Sequence, residues 1–382
     1  MRYIKLGVVA CLILSLTGCW SKEELDDLTF VFGLYVDNGK KPGTVEVTIS
    51  TPLPNRLMSA QQSSSGGGDG KPYSIVSKTA PTITEAMISI QRDLTRRITL
   101  SHLKVVVIGE DYAKKGIGEL LEWLKREPGF PLGTYVLGCS GRAKEITKLT
   151  PVYEQQPSQV LLNFVSDNFM FKTTIKDCLI ADASYSGFAL TYLNIGTKPE
   201  SIEIGKPEYW ARIQGAALYQ KNKMKGSLKV REGIALAWAQ GNVHFPLYSI
   251  TWDEGKGTAS ALITFSKSSK AVSLSNKGPI FKISLKGTAS MVSIKNSELY
   301  DIKAISAVIK DKLEQKISGD VTEAIRKTQK AGTDVLHLGL LMEWNYPQRW
   351  KKLQNTWENY YSHDAEIKVT TNIHISNFGA AQ

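Results

Sequence analysis

From residue 28 to residue 139, strand and helix signals take turns, and that order restricts the chain to a sheet with helices laid on it. Leu28 to Val36 reads as an apolar strand. Thr44 to Thr51 reads as a half-buried one, because Val45, Val47 and Ile49 alternate with Glu46 and Thr48. Pro52 and Pro54 stop it, and the polar run Ser63-Ser64-Ser65-Gly66-Gly67-Gly68-Asp69-Gly70 makes 61–71 a flexible loop. Tyr73 to Ser77 resumes as a strand. Thr82 then caps a helix, with Glu85 at capping-box spacing and Ile83, Met87, Ile90 and Leu94 as its apolar stripe. Leu103 to Ile108 is the next buried strand. Tyr112 to Arg126 reads as one amphipathic helix through Ile117, Leu120, Leu121 and Leu124, and Tyr135 to Cys139 as a further strand.

Short helices occupy 143–148, 158–168 and 174–182, and Gly196 to Pro207 reads as a linker or domain crossing. Strands then dominate. Arg212 to Tyr219 and Lys225 to Lys229 flank Asn222 as a hairpin-like pair, Glu232 to Trp238 is a short helix, and Asn242 to Thr251, Thr258 to Lys267 and Ile280 to Ile294 are long strands. Leu299 to Lys330 turns helical, with Ile302, Ile305, Ile309, Leu313 and Ile317 at three- and four-residue spacing. Asp334 to Glu343 and Pro347 to Tyr360 are further helices. Ala365 to Ser376 closes as a strand whose alternation slips between Val369 and Ile373, which predicts a bulge or two faces in use. The expected fold is α+β and multidomain, with mixed and antiparallel sheets packed with helices. An N-terminal α+β domain takes 28–200, a β-rich middle domain 201–296, and a C-terminal domain of helices and a closing strand 297–382.

The first 18 residues stand apart. Arg2 and Lys5 precede an apolar run from Leu6 to Leu16, and Leu16-Thr17-Gly18-Cys19 ends it. The run is about 11 residues, too short for the roughly 20 needed to span a bilayer, and its layout is that of a signal peptide. Small residues at Thr17 and Gly18 admit a peptidase to the bond between Gly18 and Cys19. The Cys19 thiol can then take a diacylglycerol thioether, which holds the chain on a membrane, and residues 19–27 become a lipidated tether rich in acid at Glu23, Glu24, Asp26 and Asp27. Removal of Arg2 and Lys5 lowers the net charge from +11 to +9. That balance is scattered, which favours a solvated surface over attraction to anionic lipid headgroups or wall polymer; export separates the protein from nucleic acid, and no recognition motif for nucleic acid is present.

Catalysis has no visible seat. His102, His244, His337, His363 and His374 lie far apart without paired metal-ligand spacing, and neither a Gly-x-Ser-x-Gly elbow nor a phosphate-binding loop occurs. His102 beside Ser101 suits a structural or capping role better than that of a base. No cofactor or metal ligand set is expected. Of four cysteines, Cys11 leaves with the signal and Cys19 takes lipid; Cys139 and Cys178 remain, either as buried thiols, which the apolar stretch before Cys139 favours, or as a bridge. Trp344, Tyr346, Trp350, Trp357, Tyr360 and Tyr361 form an aromatic group suited either to an interface or to a core, and the helical spacing of Trp350, Leu353 and Trp357 favours the core.

Four blocks in order carry a resemblance. Leu16-Thr17-Gly18-Cys19-Trp20 leads to Glu24-Leu25-Asp26-Asp27-Leu28, Gly33 and Asp37. Ser101-His102-Leu103-Lys104-Val105-Val106-Val107-Ile108-Gly109-Glu110 leads to Ala113, Gly116 and Ile117. Gln214-Gly215-Ala216-Ala217-Leu218-Tyr219 leads to Gly226 and Gly233, and Gly332-Thr333-Asp334-Val335 leads to Trp350, Trp357 and the closing strand. Together they resemble the Ger(x)C family, the C-subunit lipoproteins of spore germinant receptors, across nearly the whole chain. One departure is the apolar start of the block at Glu232 to Trp238, where a more polar one is usual. The resemblance implies a non-enzymatic subunit required for germination, anchored to the outer face of the spore inner membrane beside two polytopic subunits, A and B, that recognise nutrients and pass ions. A lipoprotein that captures the small-molecule germinant itself is the alternative, and direct small-molecule binding stays open.

Overall fold

The structure, a computed structural model of the 382-residue chain, describes residues 3, 24–53, 56, 71–166, 170–184, 186–197, 208–241, 243, 246–276, 278–295 and 302–377. The signal sequence except Tyr3, including Gly18, together with Cys19 and the expected flexible loop except Lys71, lies outside the described residues.

The first half is built from β1 (Leu28–Phe30), β2 (Gly33–Asn38), β3 (Val45–Pro52), β4 (Tyr73–Ala80), α1 (Ile83–Arg92), β5 (Arg97–Thr99), β6 (Val105–Gly109), α2 (Glu110–Lys115), α3 (Gly118–Arg126) and β7 (Tyr135–Cys139). It continues with α4 (Ala143–Ile146), α5 (Pro157–Ser166), α6 (Ile175–Ala183) and β8 (Phe188–Thr197). Two strands beyond the expected linker, β9 (Tyr209–Gln220) and β10 (Lys223–Lys229), join the same eight-stranded sheet, whose order is β10-β9-β8-β7-β6-β2-β3-β4. Its centre, β2, β6, β7 and β8, runs parallel. Side chains of one face, among them Leu34, Val36, Val106, Ile108 and Leu190, pack under α1, α3 and α6; Tyr35, Val105, Val107, Leu137 and Leu193 of the other face pack under α4 and α5.

This layering decides the cysteine question. Cys139 lies in the core under α4 and α5, whereas Cys178, on α6, lies in the core on the opposite face of the sheet. Both are buried free thiols. Burial pushes both thiols above their ordinary value, which makes them inert.

The second half comprises α7 (Val230–Gln240), β11 (Leu247–Trp252), β12 (Gly257–Ser275), β13 (Gly278–Lys295), α8 (Ile302–Lys330), α9 (Leu338–Asn345), α10 (Pro347–Leu353), α11 (Trp357–His363) and β14 (Glu366–Asn377). A four-stranded sheet, β11-β12-β13-β14, is antiparallel except for the parallel pairing of β13 with β14. The stripe Ile309, Leu313, Ile317 of the long helix is fully buried against it, together with Trp238 of α7, Phe281 and Ile373. The overall fold is therefore α+β, with a mixed sheet in each half.

Several elements differ from expectation for local reasons. The apolar stretch 28–36 is two strands, because Val31 donates to Thr99 O while Phe32 donates to Ser50 O, so the chain changes partner between them. The helix expected over 112–126 is two helices: the Ile117 N–H donates 2.8 Å to Asn222 O of the β9–β10 turn and leaves the helical ladder. Asp334 does not start a helix; α9 begins at Leu338. A short tight turn at 354–356 divides the expected helix 347–360. On β14 the alternation does not slip: Thr371 occupies the inward position between Val369 and Ile373, and the register shift comes later, opposite Ala289 and Ser290.

The β8–β9 ladder has a bulge. Tyr192 pairs with Gly215 and Leu193 with Ile213, which leaves Gln214 extra. Gly215 has φ +153°, and a Cβ there would lie 1.8 Å from Leu228 O of β10. Gly215→Ala is expected to cost about 2–5 kcal/mol, because backbone atoms must move apart at a strained φ. Gly43, at φ +77° with open space around it, serves as the comparison. Gly43→Ala should cost only about 1–2 kcal/mol, and urea unfolding of the two variants measures the difference.

Candidate interaction site at the joint between the two halves

The segment between α8 and α9 is where the halves grip each other. Helix α8 ends in a Schellman motif: Gly332, at φ +65°, donates its N–H 2.9 Å to Gln329 O, and Thr333 donates 2.9 Å to Thr328 O. This turn aims the next residues back at the first half. Thr333 meets Gly187 so closely that a Cβ on the glycine would be 2.7 Å from Thr333 Cγ2. The Asp334 carboxylate is buried. Oδ1 accepts from Leu338 N at 2.9 Å, and Oδ2 accepts from Gly339 N at 2.8 Å and from Trp357 Nε1 at 3.1 Å. One side chain thus supplies the missing acceptors of the α9 N-terminus and ties α11 to it.

His337 and Lys270 complete the grip. His337 sits at φ +57°, and its Nε2 lies 3.1 Å from Gly187 O; a carbonyl only accepts, so Nε2 carries the proton. Burial pushes the imidazole below its ordinary value, Asp334 opposes this, and Lys270 reinforces it. Lys270 donates 2.9 Å to Leu336 O, and burial lowers its ammonium as well.

Beside this joint opens a cleft of about 540 Å³. Ser184, Ser186, Gln220 and Lys221 line its first-half side, and Glu343, Trp350, Trp357 and Glu358 its second-half side. Lys221 bridges it to Glu358 at 2.7 Å. The hairpin turn that carries Lys221 has positive φ at both Lys221 and Asn222, as a two-residue turn of this hand needs, and Asn222 donates to Asp182 of α6. Of the aromatic group, Trp357 and Tyr361 are buried, Tyr346, Trp350 and Tyr360 pack against the core, and Trp344 is 76% exposed. The cluster is therefore chiefly core, with Trp344 outside it.

A second buried carboxylate stands at the carboxyl end of the parallel strands. Asp37 accepts from Ala143 N at 2.7 Å and Lys144 N at 2.9 Å, at the start of α4. Burial raises its pKa, although these bonds and Arg142 oppose the rise. Gly109 leaves room for it: a Cβ there would lie 2.1 Å from Asp37 Oδ1. Nearby, burial would raise Glu46, but hydrogen bonds from Lys144 and Ser77 and the charge of Arg142 outweigh it and hold its carboxyl below the usual value. His102 is exposed, with Nδ1 2.9 Å from Ser101 Oγ and its ring against Phe30 and Phe32. Among the described residues no group of three His, Cys, Asp or Glu is placed to hold a metal, and no helix is long and apolar enough to cross a membrane.

These positions coincide with recognisable sequence families. The model of the spore germination protein N-terminal domain matches residues 21–195, and that of the spore germination B3/GerAC-like C-terminal domain matches residues 214–379. The chain belongs to the Ger(x)C family of spore germination proteins. Among its relatives, spore germination protein KC of Bacillus subtilis is 24% identical over 384 residues, covering 96% of this chain and 93% of that protein. Spore germination protein B3 of the same organism is 26% identical over 389 residues, covering 98% of each. The crystal structure of the GerBC protein superposes with TM-score 0.57 at 18% identity, over 94% of this chain and all of that one, and so shares the fold. The family-like blocks now have physical content: Asp37 and Gly109 form the α4 cap, Gly215 admits the β10 backbone, and Gly332-Thr333-Asp334-Val335 is the joint. Cys19 and Gly18 lie outside the described residues, so the structure brings nothing to them. The sequence placed Asp334 at a helix start and in a family-like block, and His337 only among five separated histidines; neither their joint role nor that of Lys270 and Gly187 was legible, because the partners lie 66 to 150 positions apart along the chain.

The unfolded His337 takes a proton near pH 6.5 while the folded one, with its lowered value, does not. Over that window the unfolded chain binds more protons, so stability falls as pH falls. Thermal unfolding should show a drop in Tm between about pH 7.5 and about pH 5.5. His337→Asn, which keeps a residue tolerant of positive φ, should lower Tm at the higher pH by the loss of one hydrogen bond, about 1 kcal/mol, and should flatten the drop.

Proposed function

We propose that this chain is a non-enzymatic, lipid-anchored C subunit of a nutrient germinant receptor, held by Cys19 on the outer face of the spore inner membrane, where it binds and organises the polytopic A and B subunits. The observation that carries this reading is the Leu16-Thr17-Gly18-Cys19 sequence at the head of a chain whose two halves both match spore germination domains. Lipid at Cys19 places the body within reach of membrane-embedded partners. The joint around Asp334 keeps both halves in one arrangement, which a surface spanning more than one partner requires. The cleft between the halves supports a second reading, capture of the germinant itself, because Lys221, Glu343 and Glu358 offer charges of both signs to a small zwitterion.

Cys19→Ala in spores should abolish the lipid mass increment, deplete the chain from inner-membrane fractions, lower co-purification of the polytopic subunits and slow the nutrient response. A full nutrient response with an unlipidated chain would remove the need for anchoring. Calorimetry of the mature body against amino acids and sugars separates the second reading: heats saturating at micromolar concentration favour capture, and their absence favours the organising role.

A further inference from the structure

The end of the first sheet from which its parallel strands start also carries the turn formed by Leu25 to Asp27. Leu25 to Asp27 form a tight turn just before β1, which pairs with β5 through Leu28 and Arg97. Six residue steps separate Cys19 from Leu25, so a taut tether spans at most about 20 Å. A lipid on Cys19 therefore brings this end of the body to the bilayer. The opposite end, where Asp37 and Gly109 meet α4, stands the length of strand β2 farther away.

The chemistry of this end suits a phospholipid surface. Leu25 is 72% exposed at the turn and lines the same groove as Leu28, Phe30, Leu53 and Leu94, so it is part of an apolar patch and not a lone side chain. The groove has a volume of about 500 Å³, with Arg56 and Arg96 among its polar groups. Arg56 donates 3.3 Å to Lys71 O, and the exposed Lys71 stands over the Tyr73 ring. Along the same strand ends, Lys104 lies over Phe32, and Leu132, 51% exposed, accepts from the backbone of Lys176. Glu24, Asp26 and Asp27 belong to the turn, and Asp26 lines the groove. These acids offset part of the charge of Arg56, Lys71, Arg96 and Lys104; the basic groups outnumber them, and apolar side chains among an excess of basic ones suit a surface resting on anionic headgroups.

We infer that this end of the first sheet lies against an anionic phospholipid surface, with Leu25 entering the headgroup layer and Arg56, Lys71 and Arg96 facing lipid phosphates. The inference rests on the reading that Cys19 is lipidated, and it adds which face the lipid holds down. The joint cleft and the α4 end are thereby left to protein partners.

The mature chain carrying Cys19→Ser, which has no acyl group, is mixed with vesicles of phosphatidylcholine containing about one-third phosphatidylglycerol, or of phosphatidylcholine alone. It should sediment with the anionic vesicles only and should be released by rising salt. The pair Lys71→Gln with Arg96→Gln should lower partitioning about 25-fold, at about fivefold for each charge removed near a membrane. Lys282→Gln with Lys286→Gln removes the same charge from the outer face of β13 and should leave partitioning unchanged. Equal losses in the two pairs, or equal binding to phosphatidylcholine alone, would overturn the assignment of this face. The mass of the wild-type chain recovered from spore membranes reports separately on Cys19, so failure of the anchor and failure of the face are told apart.

Discussion

The ladder between β8 and β9 holds the molecule together. Ten residue pairs, from Phe188 with Tyr219 to Thr197 with Tyr209, join β9, which follows the boundary expected at 200, to the first sheet, and β9 and β10 lead on to the second half. Main-chain hydrogen bonds of this kind are not individually strong in net terms, but each left unmade in a buried sheet costs about 1–3 kcal/mol. Because β9 and β10 belong to the first sheet, the chain passes to the second half at the junction of β10 with α7. Elements later in the chain inherit the placement of β9. The tight turn at Lys221 and Asn222 returns β10 along β9, and β10 runs directly into α7, whose Trp238 is fully buried in the second core.

Buried carboxylates then fix the helices that the sheets position. Asp37 and Asp334 do the same task at opposite ends of the chain: each accepts two backbone N–H groups from the start of a helix that brings no side-chain cap of its own. A buried carboxylate is costly unless several donors meet it. Both have them, and Asp334 adds the Trp357 indole. The cost of burial is visible in the raised Asp37 and the lowered His337 and Lys270, groups held in place by geometry at the expense of their charged forms.

Much of this was legible in the sequence where the signal is local. The apolar run ending at Ile108, the Asn222 turn and the stripe Ile309, Leu313, Ile317 each depend on neighbours within one element, and each formed as read. The strand at 44–51 also formed, but Glu46, Thr48 and Ser50 are buried along with Val45, Val47 and Ile49, so it is covered on both faces and not half-buried as its alternation predicts. Failures came where a distant partner overrode local preference. Ile117 left its helix for the Asn222 carbonyl, Phe32 left the β1 pairing for Ser50, and Thr371 took an inward position that its polarity hid. The joint was illegible for the same reason. Asp334 looks like an ordinary helix start until Trp357 and Gly339 are seen to share it, and Gly187 has no local signature at all.

The two ends of the first sheet are chemically unlike, and this bears on how a peripheral subunit can act. At the carboxyl ends of the parallel strands, Glu46 is held by Arg142 and Lys144 and Asp37 is enclosed, so charge is internally paired and offers little to a polyanion. At the amino ends Arg56, Lys71 and Arg96 stand beside Leu25 and the groove that runs past it, with Asp26 also in the groove wall. Because the β8–β9 ladder makes the joint continuous with this sheet, the first sheet's orientation also sets the direction of the cleft beside Asp334. A change at the cleft that disturbs the Gly187–His337 contact reaches β8 within one residue, since Gly187 immediately precedes Phe188. That contact is one of several between the second half and the first sheet: Lys221 pairs with Glu358, and Ala189 of β8 and Ala216 and Leu218 of β9 pack in the same core as Trp238.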